Sequence, residues 1–259
     1  MRTTPQQVLG EVFITVGVIF LLFAFYEAYW TNIKSGLLQN DAQSQLAKEW
    51  ENPREKRAPA LGDAFAKLYI PTFGADYQFA ILEGTTEDVL VAGPGRYQTT
   101  QMPGERGNFA VAGHRVGKGA PFNDLGQLRS CDAIVVETKT EWLTYRVLPM
   151  EGGAGRTKAA SCLPEDLRER VTSGDYRNVL GRHITTPWDS TVLYPKPESD
   201  QPQRSGEKGE KDRAGLEAVL TLTTCHPQFS NAERMIIHAM LVDATDKQSG
   251  PPDAMEENS

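Results

Sequence analysis

Three side chains have the types and settings that nucleophilic catalysis requires. Cys225 ends a strand-like run, VLTLTTC (219–225), just before a turn, where a thiol is both rigidly held and exposed. His114 ends another such run, GNFAVAGHRVGKG (107–119), between glycines that let the backbone turn sharply and leave room for a ligand. Arg234 lies nine residues after Cys225, so a hairpin would place its guanidinium beside the thiol. An arginine there lowers the pKa of a thiol and donates hydrogen bonds to a developing oxyanion.

Each of these residues, taken alone, also fits a structural role, since cysteines are commonly buried and histidines occur in turns. The other histidines are expected to be structural. His226 follows Cys225 directly, and adjacent side chains diverge, so it is predicted at the surface or in a turn. His238 lies in an apolar run on the face of Arg234 and is predicted to be packed or to line a pocket, whereas His183 is predicted to be exposed.

Composition excludes several classes of protein. The 259 residues carry 27 Lys and Arg against 34 Asp and Glu, and this net charge of −7 argues against a nucleic-acid binder. Three cysteines exclude a dense disulfide scaffold and a four-cysteine zinc site. The sequence has no H-x-x-H or C-x-x-C pair, and its acidic residues are dispersed. We therefore predict no cofactor and no metal site.

The elements that must position these side chains are mostly strands. Short runs of β-branched, aromatic and aliphatic residues are separated by glycine, proline and acidic clusters, which is typical of an all-β barrel or sandwich. The predicted strands cover residues 66–70, 77–82, 107–114, 133–138, 141–148, 218–225 and 234–242. Only residues 121–128 and 164–171 look helical, and the charged stretch 201–215 is predicted to be a long surface loop.

A membrane anchor is predicted near the N-terminus. Residues 12–26 carry no charge, and the apolar stretch extends over residues 8–30, long enough to cross a bilayer core of about 30 Å and contact membrane lipid. Tyr26, Tyr29 and Trp30 form an aromatic belt at one end. A cleaved signal peptide is the alternative, but no small-residue cleavage site follows. Charges flanking the span do not decide its orientation.

Four regions are therefore expected along the chain. Residues 1–30 form a stub and a transmembrane anchor, and residues 31–62, polar with a proline-punctuated charged end, form a juxtamembrane stalk. Residues 63–242 form the catalytic β domain. Residues 243–259 have almost no large apolar residue and are predicted to be a disordered tail.

The run TLTTCHPQFSNAERMIIHA (221–239), preceded by NFAVAGHR (108–115), resembles the sortase family of membrane-anchored cysteine transpeptidases. The segments CHPQFS and GHR followed by KGAPFNDL, with Tyr97 upstream, look most like class E, the housekeeping type of high-GC actinobacteria. The resemblance implies an all-β fold, an eight-stranded closed sortase barrel with one or two short helices, preceded by a single transmembrane helix. It also implies a single-pass protein of the cell membrane with a cytoplasmic N-terminus and an outward-facing catalytic domain.

The resemblance also implies roles for individual residues. Cys225 would attack the carbonyl between Thr and Gly of a C-terminal sorting signal on a surface protein and form an acyl-thioester. His114 would protonate the leaving amine and then deprotonate the incoming one, and Arg234 would hold the substrate strand and stabilise the oxyanion. The incoming amine would belong to a lipid-linked peptidoglycan precursor.

Members of class E resemble enzymes that prefer a sorting signal of sequence Leu-Ala-x-Thr-Gly over one of sequence Leu-Pro-x-Thr-Gly. Tyr97 is carried over as a substrate contact, while Thr223 and Thr224 would position the nucleophile or the substrate, or would simply be strand residues. Cys131 and Cys162 are left as a pair once Cys225 is assigned, and a disulfide between them is our hypothesis for a domain outside the membrane. The alternative is two unrelated small residues.

Two other functions stay open. A pilin-polymerising sortase would use a pilin lysine as its amine, but no lid motif is evident in residues 31–65. A non-catalytic, scaffolding sortase-like module is disfavoured because Cys225, His114 and Arg234 are all present.

Overall fold

The structure, a computed structural model, describes residues 4–51, 57–153, 155–199 and 213–257. The helices of these described ranges are α1 (Pro5–Phe25), α2 (Thr31–Glu51), α3 (Glu87–Ala92), α4 (Arg156–Ala159) and α5 (Glu165–Thr172). The strands are β1 (Ala64–Tyr69), β2 (Gln78–Glu83), β3 (Gly95–Arg96), β4 (Gly107–Ala112), β5 (Ala133–Glu137), β6 (Glu141–Val147), β7 (Arg182–Thr185), β8 (Ala218–His226) and β9 (Glu233–Asp246).

Eight of the strands close into a barrel, which confirms the predicted fold. They run in the order β6-β5-β1-β2-β3-β4-β8-β9, and β9 pairs back with β6. The long strand β9 makes this closure possible, because its second half pairs with β6 while its first half pairs with the outlying strand β7. Closing the sheet removes its free edges. Apolar side chains of these strands fill the interior, among them Leu68, Phe109, Ile134, Leu222 and Ile237.

Strands occupy all seven predicted positions, but β3 and β7 were not predicted. The strand β3 has only two residues, and RHIT of β7 lacks the apolar alternation that marks a half-buried strand. Helix α5 matches the predicted helix at 164–171, whereas 121–128 forms turns and one 3-10 turn, Leu125–Gln127. Most of the predicted surface loop at 201–215 lies outside the described residues.

Helix α1 has the length and composition of a membrane span. Its 21 residues have a mean hydropathy of 2.5 in the most apolar window, and none is buried against the rest of the protein. Thr4 caps its first turn, and a π-helical turn, Tyr26–Trp30, carries the chain into α2 without a break. These features are consistent with a single-pass anchor.

The expectation of a solvated stalk after the anchor is wrong, because α2 packs on the barrel. Leu46 is fully buried, and with Ala42 it joins a cluster formed by residues of β1, β2 and α3. Gln39 accepts a hydrogen bond from the backbone N–H of Ala80 and donates one to the carbonyl of Ala92 (2.7 Å). Since Gln39, Ala42 and Leu46 recur at helical spacing, they form one docking face in which a polar residue satisfies buried backbone.

The expectation of a disordered tail from residue 243 onward is also wrong. The strand β9 continues to Asp246, so its last residues close the barrel against β6. Ala254 is 5% exposed and packs with Trp142, and the Glu257 carboxylate forms a bidentate ion pair with Arg146. Pairing with β6 and burial of Ala254 therefore order residues 243–257, although their composition is polar.

Candidate active site

Strand pairing brings together the three residues that the sequence singles out. Cys225 on β8 and Arg234 on β9 are directly paired residues of one antiparallel ladder. The strand β4 runs parallel to β8, and the ladder between them ends at the pair Ala112 and Thr223. Continuing that register by two residues places His114 level with Cys225. The three side chains therefore converge at the same end of three adjacent strands.

These residues line one cleft of about 660 Å³, together with Tyr97, Thr223 and Thr224. Cys225 is a free, partly exposed thiol. The side chain of His114 is 19% exposed. The thiol and the imidazole are thus held by strands yet open to a ligand, as nucleophilic catalysis requires.

Hydrogen bonds hold the floor of the cleft. The Thr224 hydroxyl donates to the carbonyl of Gly113 (2.8 Å), and the N–H of Gly113 donates to the carbonyl of Thr223 (3.1 Å). These bonds link the residue before His114 to the two residues before Cys225. The Thr223 hydroxyl lies 3.0 Å from the Tyr97 hydroxyl, which it meets inside the cleft. Thr224 is therefore placed to position backbone, whereas Thr223 and Tyr97 face the space that a substrate would occupy.

Arg96, the residue before Tyr97, forms a buried ion pair with Glu83. Arg96 donates from Nε and Nη2 to the two carboxylate oxygens of Glu83 at 2.8 and 2.7 Å. Arg96 also donates to the backbone carbonyl of Thr100, which closes the turn after β3. Because a buried pair persists only when its geometry is well satisfied, this network fixes the turn that carries Tyr97.

Charges around His114 act in opposite directions. Burial is the largest effect and lowers the pKa of His114, the nearby Lys118 ammonium lowers it further, and the Glu87 carboxylate raises it. The Nε2 atom of His114 lies 3.9 Å from Glu87 Oε1, and Lys118 forms an ion pair with the same carboxylate. Nε2 is buried and makes no hydrogen bond within the described residues, so its hydrogen-bonding capacity is unused.

Two arginines flank Cys225. Arg234 donates from Nη1 to the carbonyls of Asn231 (3.2 Å) and Glu233 (2.9 Å), which holds it on its own turn beside the thiol. Arg115, which sequence reasoning did not single out, donates to the carbonyl of Cys225 (3.3 Å) and lies 2.7 Å from His226 Nδ1. Its position directly after His114 was the available signal. Arg115 therefore contacts both the backbone of Cys225 and the imidazole ring of His226.

The remaining histidines form a separate cluster. His238 is fully buried as expected, but the prediction that His183 is exposed is wrong, since its side chain is only 18% exposed. The two rings stack with centroids 5.6 Å apart, and the Glu198 carboxylate adjoins both. The sequence carries no spacing signal for this cluster because its members come from β7, β9 and the connection before β8.

Cys131 and Cys162 are joined by a disulfide bond, with their Cα atoms 5.7 Å apart. The bond links the turn before β5 to the loop between α4 and α5 across a sequence separation of 31 residues.

The closed barrel, with a cysteine, a histidine and an arginine at one end of adjacent strands, defines the class of sortase transpeptidases. The family model for the sortase domain matches residues 68–242, and the chain belongs to this family. It is 56% identical to the solved SrtF sortase from Corynebacterium diphtheriae, covering 80% of this chain and 98% of that one, with a TM-score of 0.73.

A further relative, compared by its sequence and by a solved structure, supports the assignment to class E. Sortase SrtE1 of Streptomyces coelicolor is 34% identical over 260 residues, and the match spans 96% of this chain but 61% of that relative's length. The crystal structure of Sortase E1 from Streptomyces coelicolor with a tripeptide in the active site is 29% identical, covering 76% of this chain and 99% of that one, with a TM-score of 0.53.

Proposed function

We propose that this sortase cleaves a Leu-Ala-x-Thr-Gly or Leu-Pro-x-Thr-Gly sorting signal between Thr and Gly through Cys225 and transfers the surface protein to a cell-wall precursor amine. The observation that carries this proposal is the convergence of Cys225, its strand partner Arg234 and His114 on one open cleft. A thiol, a proton carrier and a cation around one cavity are what acyl transfer through a thioester requires.

The chemistry follows from the three positions. The Cys225 thiolate adds to the threonine carbonyl, and Arg234 donates hydrogen bonds to the resulting oxyanion. The imidazolium form of His114 gives its Nε2 proton to the departing glycine amine, leaving an acyl-thioester. Neutral His114 then takes a proton from the incoming amine, which attacks the thioester and releases Cys225. Burial favours this neutral form, which suits the second half of the cycle.

Tyr97 and Thr223 are the proposed substrate contacts. Their hydroxyls meet 3.0 Å apart in the wall of the cleft and offer both a ring surface and hydrogen bonds to an extended peptide. Thr224 acts on the substrate indirectly, because its bond to Gly113 sets the distance between β8 and the segment of His114. The tripeptide in the active site of the Streptomyces coelicolor relative supports peptide binding in this region.

The position of the cleft supports a lipid-linked amine acceptor. The N–H of Gly119, in the loop that begins at His114, donates to the Asn32 side chain (3.0 Å), and the Ser35 hydroxyl donates to the carbonyl of Val91 at the end of α3. At 1.5 Å per helical residue, Ser35 lies about 15 Å beyond Phe25, the last residue of α1. With α1 in the bilayer and the N-terminus in the cytoplasm, the cleft opens close to the outer membrane surface, where a lipid-linked precursor presents its amine.

The test is acylation of the chain of residues 1–259 in detergent micelles, because removing α2 would expose the barrel surface that Leu46 covers. Paired alanine and proline peptides are supplied with an amine acceptor, and intact-mass spectrometry follows the adduct. We expect an acyl adduct on the parent protein and none on Cys225→Ala, formed faster from the alanine peptide. A folded parent that neither peptide acylates would contradict the proposal and favour a pilin-polymerising or scaffolding role.

A further inference from the structure

Three side chains converge on one point away from the cleft of Cys225. His183 Nε2 lies 3.1 Å and His238 Nε2 lies 4.0 Å from the same oxygen, Glu198 Oε1, and all three atoms lie within 4.8 Å of one another. Each of these atoms is buried, yet none makes a hydrogen bond of acceptable geometry within the described residues. Unpaired buried polar atoms are rare and costly, so their convergence calls for a ligand.

The hydrogen bonds behind His238 determine where its lone pair points. The amide nitrogen of Asn108 donates to the carbonyls of Val192 (2.8 Å) and Tyr194 (3.1 Å), which leaves Asn108 Oδ1 as an acceptor for the Thr221 hydroxyl (2.7 Å). Having donated its only proton, Thr221 can only accept from Nδ1–H of His238, which lies 2.8 Å away.

In the neutral ring, this tautomer leaves Nε2 of His238 without a proton. The lone pair of Nε2 then faces the Glu198 carboxylate inside the protein, and a cation bound between them would satisfy both groups.

We propose that His183, Glu198 and His238 bind one divalent transition-metal ion, with Zn²⁺ favoured by the ligand set. Two imidazoles and a carboxylate are ligands that Zn²⁺ accepts, at bond lengths of about 2.0–2.2 Å. Tetrahedral coordination at that length separates neighbouring ligand atoms by about 3.4 Å. The three atoms lie 3.1 Å, 4.0 Å and at most 4.8 Å apart, so the side chains would move closer together to reach this arrangement. Water would complete the tetrahedron as the fourth ligand.

The hydrogen bond on the far side of the His238 ring also fits a metal ligand. An imidazole that binds a metal usually donates its other N–H to an oxygen, as His238 does to Thr221. The ion would join β7, β9 and the connection that precedes β8. That connection follows Thr185, the last residue of β7, which pairs with Arg234. A bound metal would therefore hold the connection, part of which lies beside Arg234, against the barrel.

The test measures zinc bound to the chain of residues 1–259 in detergent. All proteins carry Cys225→Ala, which removes the one free thiol among the described residues and prevents zinc from binding there. Each protein is stripped with a chelator, dialysed against Zn²⁺ and analysed for metal by mass spectrometry. We expect one zinc per chain in the parent and a zinc-dependent rise in the thermal midpoint.

Two ligand variants and one matched control test whether the zinc binds at this cluster. Glu198→Gln removes the anionic ligand, while its amide can donate to Nε2 of His238 and so preserve the fold without metal. His183→Gln changes a partly exposed strand residue, and His226→Gln removes a histidine outside the cluster. The first two should lose the bound zinc and the midpoint shift, and His226→Gln should keep both. Thr221→Val should weaken zinc binding about 10- to 100-fold. A parent without stoichiometric zinc, or zinc that survives both ligand variants in folded protein, would overturn the proposal.

Discussion

Replacing Glu87 or Lys118 should change the protonation of His114 in opposite directions. Glu87 raises the pKa of His114 and Lys118 lowers it, although burial has the largest effect. Glu87→Gln should therefore lower the pKa of His114. Lys118→Gln should raise it, both by removing a positive charge and by leaving Glu87 without its ion-pair partner.

The distance between His114 and Glu87 sets the size of the effect of Glu87→Gln on the pKa of His114. Two unit charges 3.9 Å apart interact by about 1 kcal/mol in water, and the water value applies because the Glu87 side chain is 64% exposed. An energy of about 1 kcal/mol changes an equilibrium about fivefold. Where His114 is mostly neutral, Glu87→Gln should reduce the imidazolium fraction about fivefold, and Lys118→Gln should increase it.

If imidazolium donates its proton to the leaving amine, acylation rates should follow these fractions. The assay is kcat/KM for a quenched fluorescent sorting-signal peptide as a function of pH, under conditions where acylation limits turnover. The order of rates above the titration of His114 should be Lys118→Gln, then the parent, then Glu87→Gln. Carbon-13 NMR of labelled histidines gives the pKa of His114 directly, since the chain has only four histidines to assign.

Asp88→Asn is the matched control, because it removes one charge from the exposed face of the same short helix. It should leave both the rate and the titration of His114 unchanged. If Glu87→Gln and Lys118→Gln move the titration in the same direction, the electrostatic account of the pKa of His114 is refuted. If the titration moves and the rates do not, the assignment of His114 as the proton donor is refuted.

Three further outcomes are expected. Tyr97→Phe removes the hydroxyl that meets Thr223 at 3.0 Å, and a net loss of about 0.5–1.5 kcal/mol should lower kcat/KM about 2- to 10-fold with the fold intact; an unchanged peptide kcat/KM would exclude the contact. The double variant Cys131→Ala/Cys162→Ala opens a 31-residue separation and should lose about 3–4 kcal/mol in urea unfolding, whereas equal stability would mean that the bond adds nothing. Leu46→Ala should lower the free energy of unfolding by about 2–5 kcal/mol, because Leu46 is fully buried under α2, and a loss below 1 kcal/mol would show that α2 is not firmly docked.

Much of the barrel and of the candidate site was predictable because the signals are local. Alternating β-branched and aliphatic residues mark β8 and β9 within ten-residue windows, and the same alternation places Cys225 at the end of its strand. A tight connection between two such strands puts Arg234 next to that cysteine whatever the rest of the fold does. The apolar run of α1 is equally local.

The rest depends on partners far apart in the chain. From the local sequence, Gln39 is expected to be solvated. In the fold it is buried, because it accepts a hydrogen bond from the backbone N–H of Ala80, 41 residues away. Residues after Asp243 have no hydrophobic pattern of their own, and they are ordered because β6 offers an open edge at that point. Physically, a polar side chain gains a buried position only when another segment satisfies its hydrogen bonds, and no local pattern records which segment that is.

His183, Glu198 and His238 show this limit most clearly. Each is unremarkable in its own run of sequence, and only the closure of the barrel brings two strands and a connection to one point. The sequence alone determined which residues can carry the chemistry of Cys225. The tertiary structure decided how the anchor helix docks, how the tail closes the sheet and where a second set of titratable groups meets, because burial and charge are shared among residues that only the fold makes neighbours.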